Sequence, residues 1–499
     1  MKEHDVIIIG AGLGGLTAGA RLAKEGKRVC LIEQHYIPGG CATTFRRNDF
    51  TMEVGLHSID GLDEDDMKAE IFEELGVFDH VEFVSIPEFY RFIHGKTDIV
   101  VPDNREQAIR VLSEHFPHER KNIRKFFRKI FALRREVHRL PADRWRMLAL
   151  LPVFPFLFPN LLFGSRRNLG DFLDRTIKDE ELKLILQANL PYYHDDPYSM
   201  SLVYFSVAQA SFFSGGGHFI KGGSGQLSNH LASVITDNGG EILLGHKVER
   251  IIIEDNRATG VEYGKAHDED GSTDRRFADT IIANAAIPNV LAMLPPKQQG
   301  QIAEKAGKLQ ISCSILSVYL GFGSDIRKLG SRNHSTFVFS ENTRQLRDIG
   351  PGSNLDRFVF VDYSQIDSGL APKGKSFAVI SVVDYMKNWD DLSDADYKAK
   401  KEEIASVLIR KLEETFPGIG NEIECLEVAT PRTIRRYTLN PEGTAYGYAQ
   451  TPQQAGMNRL PNKSPISNLY FASAWANPGG GFTGAILGGW FCANEILRN

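Results

Sequence analysis

The stretch from His4 to Glu33 constrains this chain more than any other part of it. A β-branched run, Val6 to Ile9, ends in Gly10-Ala11-Gly12-Leu13-Gly14-Gly15. A helical pattern marked by Leu16, Ala20 and Ala23 stops at Gly26, and a second apolar run, Val29 to Ile32, ends in Glu33. Strand, glycine turn, helix, strand and acid follow in that order, with Glu33 placed 33 − 10 = 23 residues after Gly10. This is the dinucleotide-binding arrangement: the glycines permit a tight turn and close approach of a pyrophosphate, the helix start offers N–H groups, and the acid accepts from ribose hydroxyls. A glycine-rich turn without a ligand is the alternative, and the complete context argues against it.

A second glycine cluster, Pro38-Gly39-Gly40-Cys41, lies shortly after Glu33 and is followed by Thr43-Thr44-Phe45 and by Phe50 to His57. Glycines so near the first turn suit a long cofactor whose far half lies along the chain after the second strand, which points to FAD and away from NAD. Farther on, Gly222 and Gly225 lead into a helix ended by Gly239-Gly240. Strands are expected around Glu241 to Leu244, Val248 to Ile253, Ala258 to Tyr263 and Asp279 to Asn284. Near the C-terminus, Asn468 to Ser473 reads as a strand, Pro478 to Gly484 as a loop and Ala485 to Leu497 as a helix. The start of that helix offers positive potential to an anionic group such as the N1/O2 edge of a reduced flavin.

These segments resemble the FAD-dependent superfamily that includes amine oxidases, Rab GDP-dissociation inhibitor and the phytoene desaturases. The nearest branch is that of carotenoid cis–trans isomerase and retinol saturase. There the double glycine is commonly followed by Cys or Ser, and a Gly-x-His triplet recurs; here these are Cys41 and Gly55-Leu56-His57. Thr430 to Tyr437 and Gly443 to Gly447 also resemble the branch's motif before the C-terminus. The resemblance implies a mixed α/β (α+β) fold with a Rossmann-type FAD-binding domain in three stretches, 1–62, 216–300 and 425–499. Interleaved with it are a substrate domain with an antiparallel sheet (63–118, 164–215 and 301–424) and a helical, membrane-facing insertion (119–163).

The same resemblance implies FAD contacts at Gly10, Gly12, Leu13, Gly14, Gly15, Glu33 and Gln34, and at Gly40, Cys41, Thr44, Leu56 and His57. It implies further contacts at Val248, Asn284 and Ala285, and at Gly480, Gly481, Phe482, Thr483 and Gly484. Gly479 to Gly484 also matches a nucleotide-binding pattern, but as the flavin-side loop. No separate NAD(P) motif is found, so the external electron donor or acceptor stays open among oxygen, a quinone and another protein.

Composition excludes other classes. With 42% hydrophobic and 24% charged residues the 499-residue chain is globular, not disordered or coiled coil, and a net charge of −5 gives no case for nucleic acid. Five scattered cysteines without a C-x-x-C pair indicate neither a disulfide framework nor a zinc site. The N-terminus lacks a signal peptide's basic start and cleavage site, which suggests a cytoplasmic protein.

The charge is uneven. Residues 120–146 hold eleven basic side chains and two acids, Glu136 and Asp143, so the remainder carries 47 − 61 = −14. Ile123, Phe126, Phe127, Ile130 and Phe131 fall at helical spacing, a basic amphipathic helix with an aromatic face. Met147 to Phe163 follows without a charge but with Pro152, Pro155 and Pro159, which disfavour a spanning helix. Phe is concentrated here, twelve of 94 residues between 126 and 219. We read the region as a monotopic patch dipping into one leaflet, a peripheral membrane attachment. The alternative is a helix solvated on one face and packed on the other, with the proline stretch as core.

A polyene hydrocarbon has few polar handles, so its site would be an apolar tunnel with the flavin supplying the reactive atom. The expected function is that of an FAD-dependent oxidoreductase or isomerase acting on double bonds of a carotenoid-like or retinoid-like lipid, by desaturation, saturation or isomerisation. Flavin amine oxidation is one alternative, for which Tyr437 and Tyr446 do not establish an aromatic cage. A prenyl-lipid carrier with a decayed cofactor site is another, against which the intact glycines argue. His57 is the candidate catalytic acid/base group, with a structural histidine as its alternative. Cys41, Glu53 and Tyr446 are weaker candidates.

Overall fold

The structure, a computed structural model, describes residues 3–141, 147, 149–266, 272–352 and 355–498. Its first sheet grows outward from the buried strand His4–Ile9. Val29–Glu33 pairs with it in parallel on one side and Asp274–Ala283 on the other, with Ile9 opposite both Ile32 and Ala283. Glu241–Leu244 extends the sheet beyond Val29–Glu33, and Leu469–Phe471 joins Asp274–Ala283. The sheet thus draws its strands from three separated parts of the chain. Their aligned ends leave a crevice at the carboxyl edge, where open α/β sheets bind ligands.

Two strands longer than expected, His246–Glu254 and Arg257–Lys265, form an antiparallel arm on Asp274–Ala283. Helix Leu13–Lys24 lies between this sheet and the C-terminal helix Gly481–Leu497. The two helices approach closely enough that a Cβ on Gly489 would collide with the carbonyl of Gly14.

A second sheet of seven strands runs in the order Ile423–Ala429, Ser314–Phe322, Ser376–Asp384, Arg357–Asp362, Ser335–Phe339, Tyr90–His94 and Thr97–Val101. Four of these strands come from the 301–424 stretch, but the sheet is not the purely antiparallel one expected: Ser335–Phe339 pairs with Tyr90–His94 in parallel. The hairpin that supplies Tyr90–His94 comes from far earlier in the chain, so no tight turn dictates an antiparallel partner. Helix Asp394–Thr415, capped by Ser393, covers one face of the sheet and buries Leu408 and Leu412 with Phe360, Ile380 and Trp389.

The basic segment folds as helix Arg120–His138. Its aromatic face does not look outward: Ile123, Phe126, Phe127 and Ile130 are buried, and the helix packs against Leu202–Gly215. Of the twelve phenylalanines in 126–219, eight are buried, and only Phe156 and Phe163 are among the exposed large apolar residues. The concentration of Phe therefore builds core, which corrects the membrane reading for this helix. The reason is that Leu202–Gly215 is apolar around most of its girdle and needs an apolar partner.

Two charges of the segment are internal as well. Arg134 donates to both oxygens of Asp63 at 3.0 Å, and the Glu136 carboxylate accepts from the N–H groups of Asn160 (3.2 Å) and Leu161 (2.8 Å). Arg120, Lys121, Arg124, Lys125, Arg128, Arg135 and Arg139 stay exposed. Residues 142–146 and Leu148, part of the expected basic and apolar run, lie outside the described residues.

Beyond them the prolines break the chain into Leu151–Val153, Phe154–Leu157 and Pro159–Gly164. This leaves Leu151, Val153, Phe156, Leu157, Leu162 and Phe163 exposed, Phe156 at 84%. Among the described residues no helix is long and apolar enough to cross a membrane.

Candidate active site

The glycine turn leaves strand His4–Ile9 through Gly10, at φ +95°, and Gly12 starts the first helix in extended conformation with no side-chain cap. The first N–H groups of that helix therefore face the crevice unsatisfied. The second glycine cluster meets this turn directly: Gly39 donates its N–H to the Ala11 carbonyl at 2.7 Å, and Gly40 turns at φ +61°. Glu33 accepts from the N–H of Ala11 (2.7 Å) and of His35 (2.8 Å), and burial pushes its pKa up. Asn284 donates to the Gly10 carbonyl at 3.1 Å and so braces the turn from the neighbouring strand.

The C-terminal helix Gly481–Leu497 begins in the same way. Its N-cap, Gly480, has no side chain to offer, and Gly481 takes φ +79° with open space where a Cβ would stand. Thr483 in its first turn donates to Asp60 at 2.7 Å. Buried Lys68 lies 3.6 Å from Asp60 and 2.6 Å from Asp66. Burial alone would raise the Asp60 pKa, but the charge of Lys68 and the hydroxyls of Thr483 and Ser211 together hold it below the ordinary carboxylate value.

Both helix starts open on a single cavity of about 2900 Å³. Gly10, Gly12, Leu13, Gly14, Glu33 and Gln34 line it at one end; Gly40, Cys41, Thr44, Leu56 and His57 line its middle. Val248, Asn284, Ala285, Gly480, Gly481, Phe482, Thr483 and Gly484 line it too. Gly15 does not: its missing Cβ makes room for the Gly10 carbonyl and Asn284, so the residue serves the packing of the turn. Two uncapped helix starts on one cavity, with a buried acid between two glycine segments, fit a long cofactor carrying a pyrophosphate and a second anionic edge.

His57 stands farther along the same cavity. Glu53 holds the backbone before it, accepting from the N–H of Gly55 (3.0 Å) and Leu56 (2.8 Å) and from Ser224 through N–H and hydroxyl, both at 2.7 Å. Tyr319 donates to the Val54 carbonyl at 3.1 Å and Tyr363 to the Leu56 carbonyl at 2.8 Å. With its backbone so held, His57 places Nδ1 3.1 Å from the Tyr192 hydroxyl and Nε2 3.4 Å from Ser381 Oγ. Burial lowers its pKa to about 4, so the ring is neutral at ordinary pH.

The family model for flavin containing amine oxidoreductases matches residues 13–497. The chain belongs to that family. FAD is accordingly its cofactor. It is 28% identical over 511 residues to the chloroplastic prolycopene isomerase of Daucus carota, covering all of this chain and 80% of that one. It is 27% identical over 544 residues to the all-trans-retinol 13,14-reductase of Danio rerio, covering all of this chain and 86% of that one. Among solved structures, wild-type putrescine oxidase shares the fold with a TM-score of 0.66 at 16% identity, covering 99% of each chain.

In this flavoprotein the weaker candidates separate clearly. Glu53 is a backbone clamp that does not line the cavity. Cys41 lines it, but burial pushes its thiol pKa to about 11, so it is no nucleophile at ordinary pH. Tyr446 and Tyr437 both line the cavity; Tyr446 donates to the Pro191 carbonyl at 3.1 Å, and Tyr437 is 48% exposed. Sequence reasoning missed Tyr192, Ser317, Ser381, Asp60 and Lys68. None lies in a motif: the second sheet brings Ser317 and Ser381 to the flavoprotein's cavity, the turn Leu190–Tyr192 brings Tyr192, and strand Ile59–Asp60 and helix Met67–Glu74 bring Asp60 and Lys68.

Proposed function

We propose that the chain is an FAD-dependent enzyme acting on carbon–carbon double bonds of a polyene lipid drawn from a membrane surface. One observation carries the reading. The cavity that holds the glycine loops and His57 continues to Phe154, Leu161 and Leu162, and Leu162 is itself 43% exposed within the apolar patch of residues 151–163. An apolar ligand could pass from lipid to site without crossing water. The exposed cations of helix Arg120–His138 lie next to that patch in the chain and suit an anionic headgroup layer. The names of the isomerase and reductase relatives support a polyene substrate.

In this reading the glycine segments 10–14 and 39–40 hold the pyrophosphate side of FAD, Glu33 the ribose, and the loop 480–484 the flavin. The stretches 1–62, 216–300 and 425–499 form the cofactor domain. Bound FAD supplies hydride or electron exchange. The chain's own part is to exclude water, align the polyene along the apolar walls, and hold a proton at His57 Nε2, the nitrogen toward Ser381.

The test is product analysis. FAD-loaded protein with vesicles containing either a poly-cis carotenoid or retinol should convert at least one of them, and His57→Gln should lose activity while keeping its flavin absorbance. Conversion of amines with both polyenes untouched would overturn the reading.

A further inference from the structure

Four polar side chains run in single file away from the cavity. The Tyr192 hydroxyl lies 3.1 Å from His57 Nδ1, and the Ser335 hydroxyl is its next polar neighbour. Ser335 Oγ in turn lies 3.1 Å from Nδ1 of His334. On the cavity side, His57 Nε2 is 3.4 Å from Ser381 Oγ, which is 3.2 Å from Ser317 Oγ across the sheet. The chain of bonds links the loop after Phe50–Glu53, the turn Leu190–Tyr192 and strand Ser335–Phe339.

Two hydroxyls between two imidazoles allow two self-consistent directions, because each hydroxyl has one proton to give. In the first, His334 Nδ1–H donates to Ser335, Ser335 to Tyr192, and Tyr192 to His57 Nδ1. In the second, every proton points the other way. The far end breaks the tie. His334 is 0% exposed, and its Nε2 has no hydrogen-bond partner among the described residues. The first direction leaves a bare lone pair there; the second leaves a buried N–H without an acceptor, the rarer defect.

We propose that Tyr192 is a positioning residue that donates to His57 Nδ1, holds His57 as the Nε2–H tautomer, and so presents that N–H to the cavity beside Ser381. Burial raises the Tyr192 pKa, which keeps its proton available for this bond. The 3.4 Å separation from Ser381 is long for a hydrogen bond, so the His57 N–H can turn to a substrate atom at little cost. An Nε2–H group donates and does not accept. The tautomer therefore suits His57 as a hydrogen-bond donor to the substrate during reduction or isomerisation of a double bond and does not fit proton removal by His57 in desaturation. This consequence rests on the reading of His57 as the proton-holding group of the site, although the tautomer itself does not.

The experiment is nitrogen-15 NMR of histidine-labelled, FAD-loaded full-length protein without substrate, with the His57 signals identified by their loss in His57→Gln. Wild type should show a protonated Nε2 and a bare Nδ1. Tyr192→Phe should leave the Nε2–H form in place, because a phenyl ring gives Nδ1–H no acceptor, but should move the bare Nδ1 signal to that of an unbonded imine nitrogen with flavin absorbance unchanged; it should also lower turnover about tenfold with KM within about twofold. A wild-type His57 protonated at Nδ1 would overturn the proposal even if the variant does not fold, and so would an Nδ1 signal that does not move in Tyr192→Phe. Full turnover in His57→Gln would instead overturn the role given to His57 above and leave the tautomer result standing.

Discussion

Gly39 donates its backbone N–H to the Ala11 carbonyl at 2.7 Å, so the second glycine cluster is stitched onto the first across the mouth of the crevice. Gly39 sits at φ +116°, and a Cβ there would meet the Ala42 carbonyl and Ser228 Oγ. Gly39→Ala should therefore cost about 2 kcal/mol in backbone strain and crowding and displace Gly40. Cofactor occupancy, read from the ratio of flavin to protein absorbance, should fall at least severalfold. An unchanged ratio would show that the stitch is dispensable.

Lys68 is the buried cation beside Asp60 and Asp66 at the start of the C-terminal helix. Lys68→Met leaves two acids without their partner in a dry environment, a loss of about 3 kcal/mol. Thermal unfolding should move several degrees lower, and Asp60→Asn in the same background should recover part of the loss. Additive losses in the double variant would show that Lys68 and Asp60 are not coupled.

Acid should destabilise the fold through its buried imidazoles. His57 has its pKa lowered to about 4 and His334 to about 3, both by burial, against 6.5 for a free imidazole side chain. The unfolded chain thus binds the proton first. Stability is complete above pH 6.5 and falls below it by about 1.4 kcal/mol per unit and per group, until each folded pKa is reached. Urea midpoints between pH 7 and 5 should follow this slope, and His334→Asn should flatten it. An equal slope in that variant would assign the loss to other groups.

Phe156 and Phe163 are exposed, at 84% and 65%, so replacing both with Ser should leave stability within about 0.5 kcal/mol. Flotation with vesicles should nevertheless drop strongly. Arg124→Glu with Arg128→Glu should weaken binding to anionic vesicles alone, and more so at low salt. Flotation unaffected by either pair would remove the membrane from the proposed function.

The crevice was the most legible part because its chemistry is local. Gly10 to Glu33 are a continuous stretch whose turn, helix start and acid depend on neighbours a few residues away. The same holds for the loop Pro478 to Gly484 and the helix that follows it. Helix Arg120–His138 shows where such reading stops. Its period and its apolar face follow from spacing, but the identity of what covers that face does not, since Leu202–Gly215 lies far along the chain. A face of Phe reads the same whether lipid or protein completes it.

The sequence alone determined the cofactor class, the order of the elements that cradle it, and the candidacy of His57. The tertiary structure decided what His57 touches. Tyr192, Ser335 and His334 carry no motif, and His57 and Ser381 are 324 residues apart. Hydrogen-bond direction and burial are properties of neighbours in space, and only the folding of the second sheet over the crevice made these residues neighbours.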